Sequence, residues 1–223
     1  MQFSKKIQNK DIRTMTLVGP MKNSQCHKSS LVFNKENALI LIDGGLNFID
    51  DYQIETFENV FFIGDLDSIS ENHSEKLSLL NKDNIFKFNT DKDLSDLELA
   101  LNFCAQNLHS LKKISIMNIL DGRRDHHYGN LLTIQKFVDG VNLENFSVEL
   151  DNEIIISKGI LDFHHQGIFS IFTNYESTVS ISGDAKYQLK EEKLNPQSSH
   201  GLSNVAQGNV SLSSSSPIIT FLV

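Results

Sequence analysis

The sequence predicts an α/β N-terminal domain followed by an all-β C-terminal domain, and three observations point to this class. Short apolar runs alternate with helical patterns up to about residue 150, which is typical of a Rossmann-like, doubly wound and mostly parallel sheet. Several of these runs end in acidic loops, as expected at the ligand-binding edge of such a sheet. After residue 150, short apolar runs without helical spacing favour a β-sandwich. We therefore assign residues 1–150 to the α/β domain and residues 151–223 to the β-sandwich domain.

The strands of the first domain are predicted from short runs that are apolar on both faces and stop at turn residues. Such runs suit a parallel sheet whose two faces are covered by helices. The predicted strands are Thr16–Val18, Ala38–Ile42, Val60–Ile63, Ile85–Phe88 and Ile114–Leu120.

Two helices are predicted from the spacing of their apolar side chains. The first spans about residues 95–108, where Ser95 and Glu98 have the spacing of a capping box. The second spans about residues 125–138. Cys104 lies on the apolar face of the first helix, so we expect a buried, reduced thiol rather than a disulfide or a metal ligand.

The strands of the second domain are separated by Gly, Asn, Asp and Ser residues, which favour turns. The serine-rich stretch Ser211–Ser216 is expected to form a surface turn between two of them. The predicted strands are Ile154–Ile156, Ile168–Phe172, Val179–Ile181 and Ile218–Phe221.

Net charge and the distribution of apolar residues argue against nucleic-acid binding, membrane insertion and secretion. A formal net charge of −8 argues against a protein that holds nucleic acid on a basic surface. No apolar stretch reaches the roughly 18 residues that a membrane-spanning helix needs, so no membrane association is expected. The polar residues 1–13 lack the apolar core of a signal peptide, and the expected location is therefore cytoplasmic.

Four acidic loops follow predicted strands of the first domain, and parallel strands would bring them to a single edge of the sheet. Each loop alone is a common solvated turn or helix cap. The turn at Asp43 either needs its glycines only for positive φ, or uses them to let backbone N–H groups approach a phosphate or adenosine. The loops are Asp43–Gly45, Gly64–Ser68, Asp91–Asp96 and Asp121–His126.

Asp65 and Asp67 carry the clearest chemical signal, because two carboxylates one residue apart at a strand end repel each other unless a cation lies between them. Oxygen-rich loops of this kind suit Mg²⁺ that carries a phosphorylated substrate. Arg123 and Arg124 add positive charge, and here an arginine either fits phosphate oxygens bidentately or only forms a pair with an aspartate of the loop. His126 would hydrogen-bond a phosphate or cap a helix.

Taken in order, these motifs resemble those of the thiamin pyrophosphokinase family, over a span from about residue 14 to the end of the chain. The chain departs from the family pattern at Ser95, where the family has Thr, and at Asp121, where its bacterial members have Gly. Tyr187 stands where Trp is often found. The matching segments are Asp43–Asn47, Gly64–Ser68, Asp91–Asp96, Asp121–Asn130, Gly183–Leu189 and Ser203–Asn204.

The resemblance implies thiamine diphosphokinase activity, the transfer of pyrophosphate from Mg²⁺–ATP to the hydroxyl group of thiamin, giving thiamin diphosphate and AMP. It implies ATP and thiamin as the small-molecule partners and Mg²⁺ as the cofactor. Members of the family are homodimers that hold thiamin between the α/β domain of one subunit and the β-domain of the other. The resemblance therefore implies a homodimer, with residues 1–150 as the nucleotide-binding catalytic domain and residues 151–223 as the thiamin-binding and dimerisation domain.

The resemblance also assigns roles to individual residues. Asp65, Asp67 and Asp93 are the expected metal ligands and catalytic residues. The residues expected to contact thiamin are Asp96, Ser203 and Asn204. The residues expected to line the ATP site are Asp43, Gly44, Asn47, Ser68, Arg123, Asp125 and His126.

Two alternatives stay open at this point. One is another Mg²⁺-dependent phosphate enzyme, such as a nucleotide hydrolase or a nucleotidyl or sugar-nucleotide transferase with an Asp-x-Asp loop. The other is a module that binds thiamin or a nucleotide without turnover, which would not require so many acidic loops with arginines beside them.

Overall fold

The computed structural model describes residues 3, 12–21, 36–107, 111–120, 122–143, 145–196 and 198–223. The chain divides into two compact units, Met1–Leu131 and Leu132–Val223, called here the N-terminal and C-terminal units. The division falls inside a helix. The assignment of domains to residues 1–150 and 151–223 stays a prediction.

The N-terminal unit contains a parallel sheet, as the sequence predicts. Its strands are β1 (Thr14–Val18), β2 (Asn37–Ile42), β3 (Asn59–Gly64), β4 (Ile85–Lys87) and β5 (Lys113–Met117), in the order β4-β3-β2-β1-β5. Every residue of β2 is buried, which explains its unbroken apolar sequence. Because the strands are parallel, the loops that follow them leave from the same edge of the sheet.

The helices are α1 (Asp51–Thr56), α2 (Asp96–Ala105) and α3 (Arg124–Gly140), and 3₁₀ segments form at Asp43–Phe48, Glu71–Leu79 and Lys82–Asn84. The predicted cap of α2 is present, since the Glu98 N–H donates to Ser95 Oγ at 3.2 Å. Cys104 is fully buried, and this burial raises the pKa of its thiol. Both predicted helices therefore form, although the predicted end of the first, Leu108, lies outside the described residues.

The C-terminal unit begins with the second half of α3 and is otherwise built around antiparallel strands, and the all-β prediction for the region after residue 150 is confirmed. Its strands are β6 (Phe146–Leu150), β7 (Ile154–Phe172), β8 (Ser177–Ala185), β9 (Leu189–Leu194) and β10 (Asn204–Leu222), in the order β6-β7-β10-β8-β9. The partners of β7 and β10 also run in opposite directions, since Asn204 lies opposite Phe169 and Ser214 lies opposite Gly159.

Strands β7 and β10 are long and curled. Ile219 has Ile156 as its partner on one side and Phe172 on the other, so both ends of β7 flank the same segment of β10. Gly159 and Gly167 have φ values of +85° and +149°, and these permit the change of direction within β7. The curled strands enclose a core that includes Phe169, Val179, Val210, Leu212 and Ile218.

The predicted turn at Ser211–Ser216 is wrong. These residues lie inside β10, where Ser211 has Asp162 of β7 and Ser182 of β8 as its partners. Serine is a frequent turn residue because its hydroxyl competes for backbone hydrogen bonds. Here residues 211–214 have partners on both sides, in β7 and β8, so the run continues as a strand.

Candidate active site

Three carboxylates meet beyond the ends of two neighbouring strands. Asp43 follows β2 directly, while Asp65 and Asp67 follow β3, and one carboxylate oxygen from each lies within 4.8 Å of the others. The register places Ile42 opposite Ile63, so the chain leaves both strands at the same level. We call this set the carboxylate group. Asp43 is buried, Asp65 is partly buried and Asp67 is exposed.

The backbone around the carboxylate group is in an unusual conformation. Asp43 has a φ of +43° and Leu66 a φ of +74°, both in the left-handed region. This region costs a residue with a side chain about 1–2 kcal/mol. The Leu66 N–H donates to Asp43 Oδ1 at 3.0 Å, so Asp43 helps to hold the loop that carries the other two carboxylates. Strain of this kind is concentrated at functional sites.

Gly64 makes the close approach of the two strand ends possible. A Cβ atom at this position would lie 2.7 Å from Asp43 Cβ and 2.8 Å from Asp43 Cα, well inside normal contact distance. Any larger residue would therefore push β3 away from Asp43. The glycine of the Gly-Asp-x-Asp-Ser motif thus serves the geometry of the carboxylate group.

Asn47 and Ser68 hold the acidic loop in place. Asn47 Nδ2 donates to the Ser68 carbonyl oxygen at 2.9 Å, and the Ser70 N–H donates to Asn47 Oδ1 at 3.1 Å. Ser68 Oγ donates to Asp67 Oδ1 at 2.8 Å. A Cβ on Gly44 would lie 3.1 Å from the Ser68 carbonyl oxygen, so this glycine packs against the same loop. These predicted ATP-site residues therefore also position Asp67.

Lys92 is a residue of this region that the sequence analysis did not single out. Its Nζ atom lies 2.8 Å from Asp65 Oδ2 and 3.1 Å from Asp96 Oδ1, and its side chain is largely buried. The hydrogen bond from Lys92 lowers the pKa of Asp65, which keeps this carboxylate ionised. Burial opposes the charged form of Lys92, yet its contacts with Asp65 and Asp96 raise the pKa of its ammonium group.

Asp96 is the first residue of α2, and Asp93 precedes that helix. Burial raises the pKa of Asp96, and the nearby Lys92 ammonium only partly offsets this effect. Among the described residues, Asp96 Oδ1 is a buried oxygen without a hydrogen bond of good geometry, although Lys92 is within ion-pair distance. Asp93 is exposed and is not a member of the carboxylate group.

Arg123, Asp125 and His126 lie at the start of α3 and are exposed. Arg123 Nε donates to Asp125 Oδ1 at 3.1 Å, and this contact lowers the pKa of Asp125 to about 2. The same pairing raises the pKa of Arg123. Asp121, the first residue of this motif, lies outside the described residues. Asp125 and His126 are not members of the carboxylate group.

In the C-terminal unit, Asn204 is buried and uses its side chain within the protein. Its Oδ1 accepts from the N–H groups of Tyr187 at 2.9 Å and Val205 at 2.8 Å, and its Nδ2 donates to the Tyr187 carbonyl oxygen at 2.6 Å. Ser203 is exposed with a φ of +58°, and its N–H donates to Ser170 Oγ at 3.0 Å.

A pocket of about 230 Å³ lies beside Asn204. Tyr187 is on its wall and is 55% exposed, and Lys186 Nζ lies 5.0 Å from the centre of the Tyr187 ring. An exposed aromatic face beside apolar side chains suits a flat ring. The pocket is lined by Ile181, Tyr187, Leu189, His200, Gly201, Leu202 and Asn204.

The carboxylate group has the chemistry of a site for a hard divalent cation. Its donors are oxygens alone, which Mg²⁺ prefers over nitrogen and sulfur. Asp43 is predicted from the sequence as an ATP-site residue, and it also belongs to the carboxylate group. Its position beside Asp65 and Asp67 follows from the register of β2 against β3.

Among the described residues, no helix is long and apolar enough to cross a membrane.

Comparison with known proteins identifies the family. A family model described as thiamin pyrophosphokinase, catalytic domain, matches residues 30–144, just over half of the chain. A search of curated protein sequences found no match. The fold is similar to solved structures with low sequence identity.

Three of these structures show how complete the similarity is. The thiamine pyrophosphokinase from Bacillus subtilis superposes with a TM-score of 0.72 at 22% identity, covering 95% of this chain and 99% of that one. The enzyme from Geobacillus thermodenitrificans gives 0.68 at 19% identity, with coverages of 93% and 95%. That from Candida albicans gives 0.68 at 14% identity, with coverages of 95% and 88%.

Proposed function

Since the chain belongs to the thiamin pyrophosphokinase family, we propose that it transfers the pyrophosphoryl group of ATP to the hydroxyl group of thiamin, giving thiamin diphosphate and AMP. The observation that carries this proposal is the meeting of Asp43, Asp65 and Asp67 beyond the ends of two parallel strands. In open α/β sheets, ligands bind at this edge.

In this reaction the thiamin hydroxyl oxygen attacks the β-phosphorus of ATP, and the bond from that phosphorus to the oxygen of AMP breaks. Bound Mg²⁺ supplies charge neutralisation at the phosphate oxygens. The chain's own task is to align the nucleophile and the leaving group. Asp65, Asp67 and Asp93 remain the proposed metal ligands and catalytic residues, and one of them accepts the hydroxyl proton. Asp43 joins them as a proposed ligand.

The proposed ATP site surrounds this group. When ATP binds, Arg123 gives up its exposed contact with Asp125 and donates its guanidinium N–H groups to phosphate oxygens. Asn47 and Ser68 hold the loop that faces the phosphates, through the hydrogen bonds described above. Gly44 and His126 complete this proposed site.

The proposed thiamin contacts are Asp96, Ser203 and Asn204. Thiamin is a cation, so acidic side chains favour its approach. The pocket beside Tyr187 offers an aromatic face for one of its rings. We further propose a cytoplasmic homodimer in which these contacts come from two subunits. Sedimentation equilibrium would give twice the 25.2 kDa chain mass, and a monomer would contradict the dimer.

Identification of the products by ³¹P NMR tests the activity. With Mg²⁺–ATP and thiamin, we expect the diphosphate resonances of thiamin diphosphate to appear together with AMP. A nucleotide hydrolase would release phosphate without thiamin, and a transferase of another kind would leave thiamin unchanged. A binding module would shift the melting temperature with its ligand and form no product.

A further inference from the structure

The contacts of Lys92 point to a role that the carboxylates alone do not explain. Its ammonium group is 2.8 Å from Asp65 Oδ2 and 3.1 Å from Asp96 Oδ1. Only 16% of the Lys92 side chain and 6% of the Asp65 side chain are exposed. A lysine side chain in solution samples many rotamers, and here two carboxylates from different segments hold it in one place.

The contact fixes the orientation of Asp65. Its Oδ2 accepts from Lys92, while its Oδ1 accepts from the Asp67 N–H at 3.3 Å. Both oxygens of this member of the carboxylate group are thus held by neighbours. Charge-assisted hydrogen bonds of this kind are stronger than neutral ones.

The contact also joins two parts of the proposed reaction centre. Asp65 belongs to the carboxylate group after β3, and Asp96 begins α2, where the thiamin contact is proposed. Without a cation between them, the two carboxylates would repel each other in a partly buried setting. Lys92 therefore occupies a position that a second divalent cation would otherwise be suited to fill.

We propose that Lys92 is a positioning residue that acts as a fixed counter-cation: it holds Asp65 and Asp96 in place and keeps a second divalent cation from the position between them. The catalytic part of this inference rests on the proposed function, whereas the part on cation binding does not. Lys92 belongs to the chain, so its charge is present whether or not substrate is bound.

Titration with Mn²⁺, without nucleotide or thiamin, tests the cation-binding part by calorimetry. In Lys92→Met we expect Mn²⁺ affinity to rise by at least about 10-fold, which corresponds to roughly 1.4 kcal/mol. The increase follows because removal of the ammonium strengthens the negative field around the carboxylates. Lys92→Arg keeps the charge and should stay within about 3-fold of the wild type.

A matched control removes a lysine that is also paired with an aspartate but lies in the C-terminal unit. Lys158 Nζ is 3.0 Å from Asp139 Oδ1. Lys158→Met changes the net charge by the same amount and should leave Mn²⁺ affinity unchanged. If Lys92→Met fails to fold, Lys92→Gln removes the charge while keeping a hydrogen-bond donor and is measured instead.

Kinetics test the positioning role. In Lys92→Met, kcat for AMP release at saturating Mg²⁺ should fall at least about 10-fold while KM for ATP changes less than about 3-fold, and Lys92→Arg should restore part of kcat. Mn²⁺ affinity in Lys92→Met that equals or falls below the wild-type value would overturn the counter-cation role. An unchanged kcat would overturn the positioning role. If the wild type releases no AMP, the proposed function fails, and the Mn²⁺ comparison still decides the counter-cation role.

Discussion

Two sets of predicted site residues, the carboxylate group of the N-terminal unit and the Ser203–Asn204 pair of the C-terminal unit, differ in how the fold uses them. Asp43, Asp65 and Asp67 bring like charges together on a strained backbone. Asn204 forms three hydrogen bonds to backbone groups and is only 6% exposed. The first arrangement is costly without a ligand, whereas the second stabilises the fold by itself.

Ligand-binding residues can thus be separated from supporting ones among the motifs of one family. A side chain whose polar atoms are all occupied by the backbone serves the structure first. Carboxylates held against one another repel, so the carboxylate group favours a bound cation in addition to the contact that Lys92 makes with Asp65. Asn204 would then act on thiamin through the position of Tyr187, and the carboxylates would act on the phosphates through a cation.

The largest expected effect is on turnover when Asp65 or Asp67 loses its charge. Asp65→Asn and Asp67→Asn should each reduce kcat for thiamin-dependent AMP release by at least about 100-fold, roughly 2.7 kcal/mol of transition-state stabilisation. The melting temperature of Asp67→Asn should not fall, because this substitution removes repulsion within the carboxylate group. That of Asp65→Asn should fall, because Lys92 then loses the charge of its closest carboxylate. Wild-type activity in both variants would exclude this loop from the mechanism.

The next effect separates Asp43 from Asp93. Asp43→Asn should weaken Mn²⁺ binding in calorimetry by about 30-fold, roughly 2 kcal/mol, because Asp43 is a member of the carboxylate group. Asp93 is exposed and outside that group, so Asp93→Asn should leave Mn²⁺ affinity unchanged in the absence of nucleotide. Equal losses in the two variants would show that Asp93 is a ligand of the free protein as well.

Asn204 should affect stability more than cation binding. Asn204→Ala leaves the N–H and carbonyl groups of Tyr187 without their side-chain partner and should lower the free energy of unfolding by about 1–2 kcal/mol. Urea denaturation followed by circular dichroism measures this change. Ser203→Ala, at the exposed neighbouring position, is the control and should stay within about 0.5 kcal/mol of the wild type. Unchanged stability in Asn204→Ala would remove the contrast between the two sets of residues.

The smallest expected effect concerns Arg123. Arg123→Ala should raise KM for ATP by about 5-fold, close to 1 kcal/mol, through the loss of a phosphate contact. Its melting temperature should match the wild type, because the pair with Asp125 is exposed and such pairs contribute little. A KM that equals the wild-type value would place Arg123 outside the ATP site.

Much of the fold of the N-terminal unit could be predicted because β1, β2 and β3 are short and almost entirely buried on both faces. The predicted run Ala38–Ile42 differs from β2 by one residue. The run predicted to reach Leu120 ends as β5 at Met117, because Asn118 turns the chain with a φ of +58°. Helix α1 was missed, since six residues are too few to show a helical spacing.

The C-terminal unit was harder to predict in detail. Strand β7 was expected as two separate runs because Gly159 and Gly167 are ordinary turn signals, yet here they bend a strand that stays paired. Strand β9 (Leu189–Leu194) was missed because most of its residues are exposed and charged. Local sequence does not reveal which partner strand will satisfy such a segment.

The candidate site, too, could be predicted only in part from the sequence. Asp65 and Asp67 could be singled out because they are adjacent in sequence to a buried strand. The place of Asp43 beside them depends on the register of two strands, which the sequence does not specify. Lys92 was not predicted as a site residue, because only the carboxylates of its segment were considered. A single basic residue among acidic ones is a signal that could have identified it.

The carboxylate group is proposed to serve thiamin-dependent release of AMP. The most direct measurement is the rate of AMP formation from Mg²⁺–ATP by the wild type, with and without thiamin. We predict AMP formation that requires both thiamin and Mg²⁺ and that equals thiamin diphosphate formation mole for mole. Formation of ADP, or release of phosphate at the same rate without thiamin, would contradict the account.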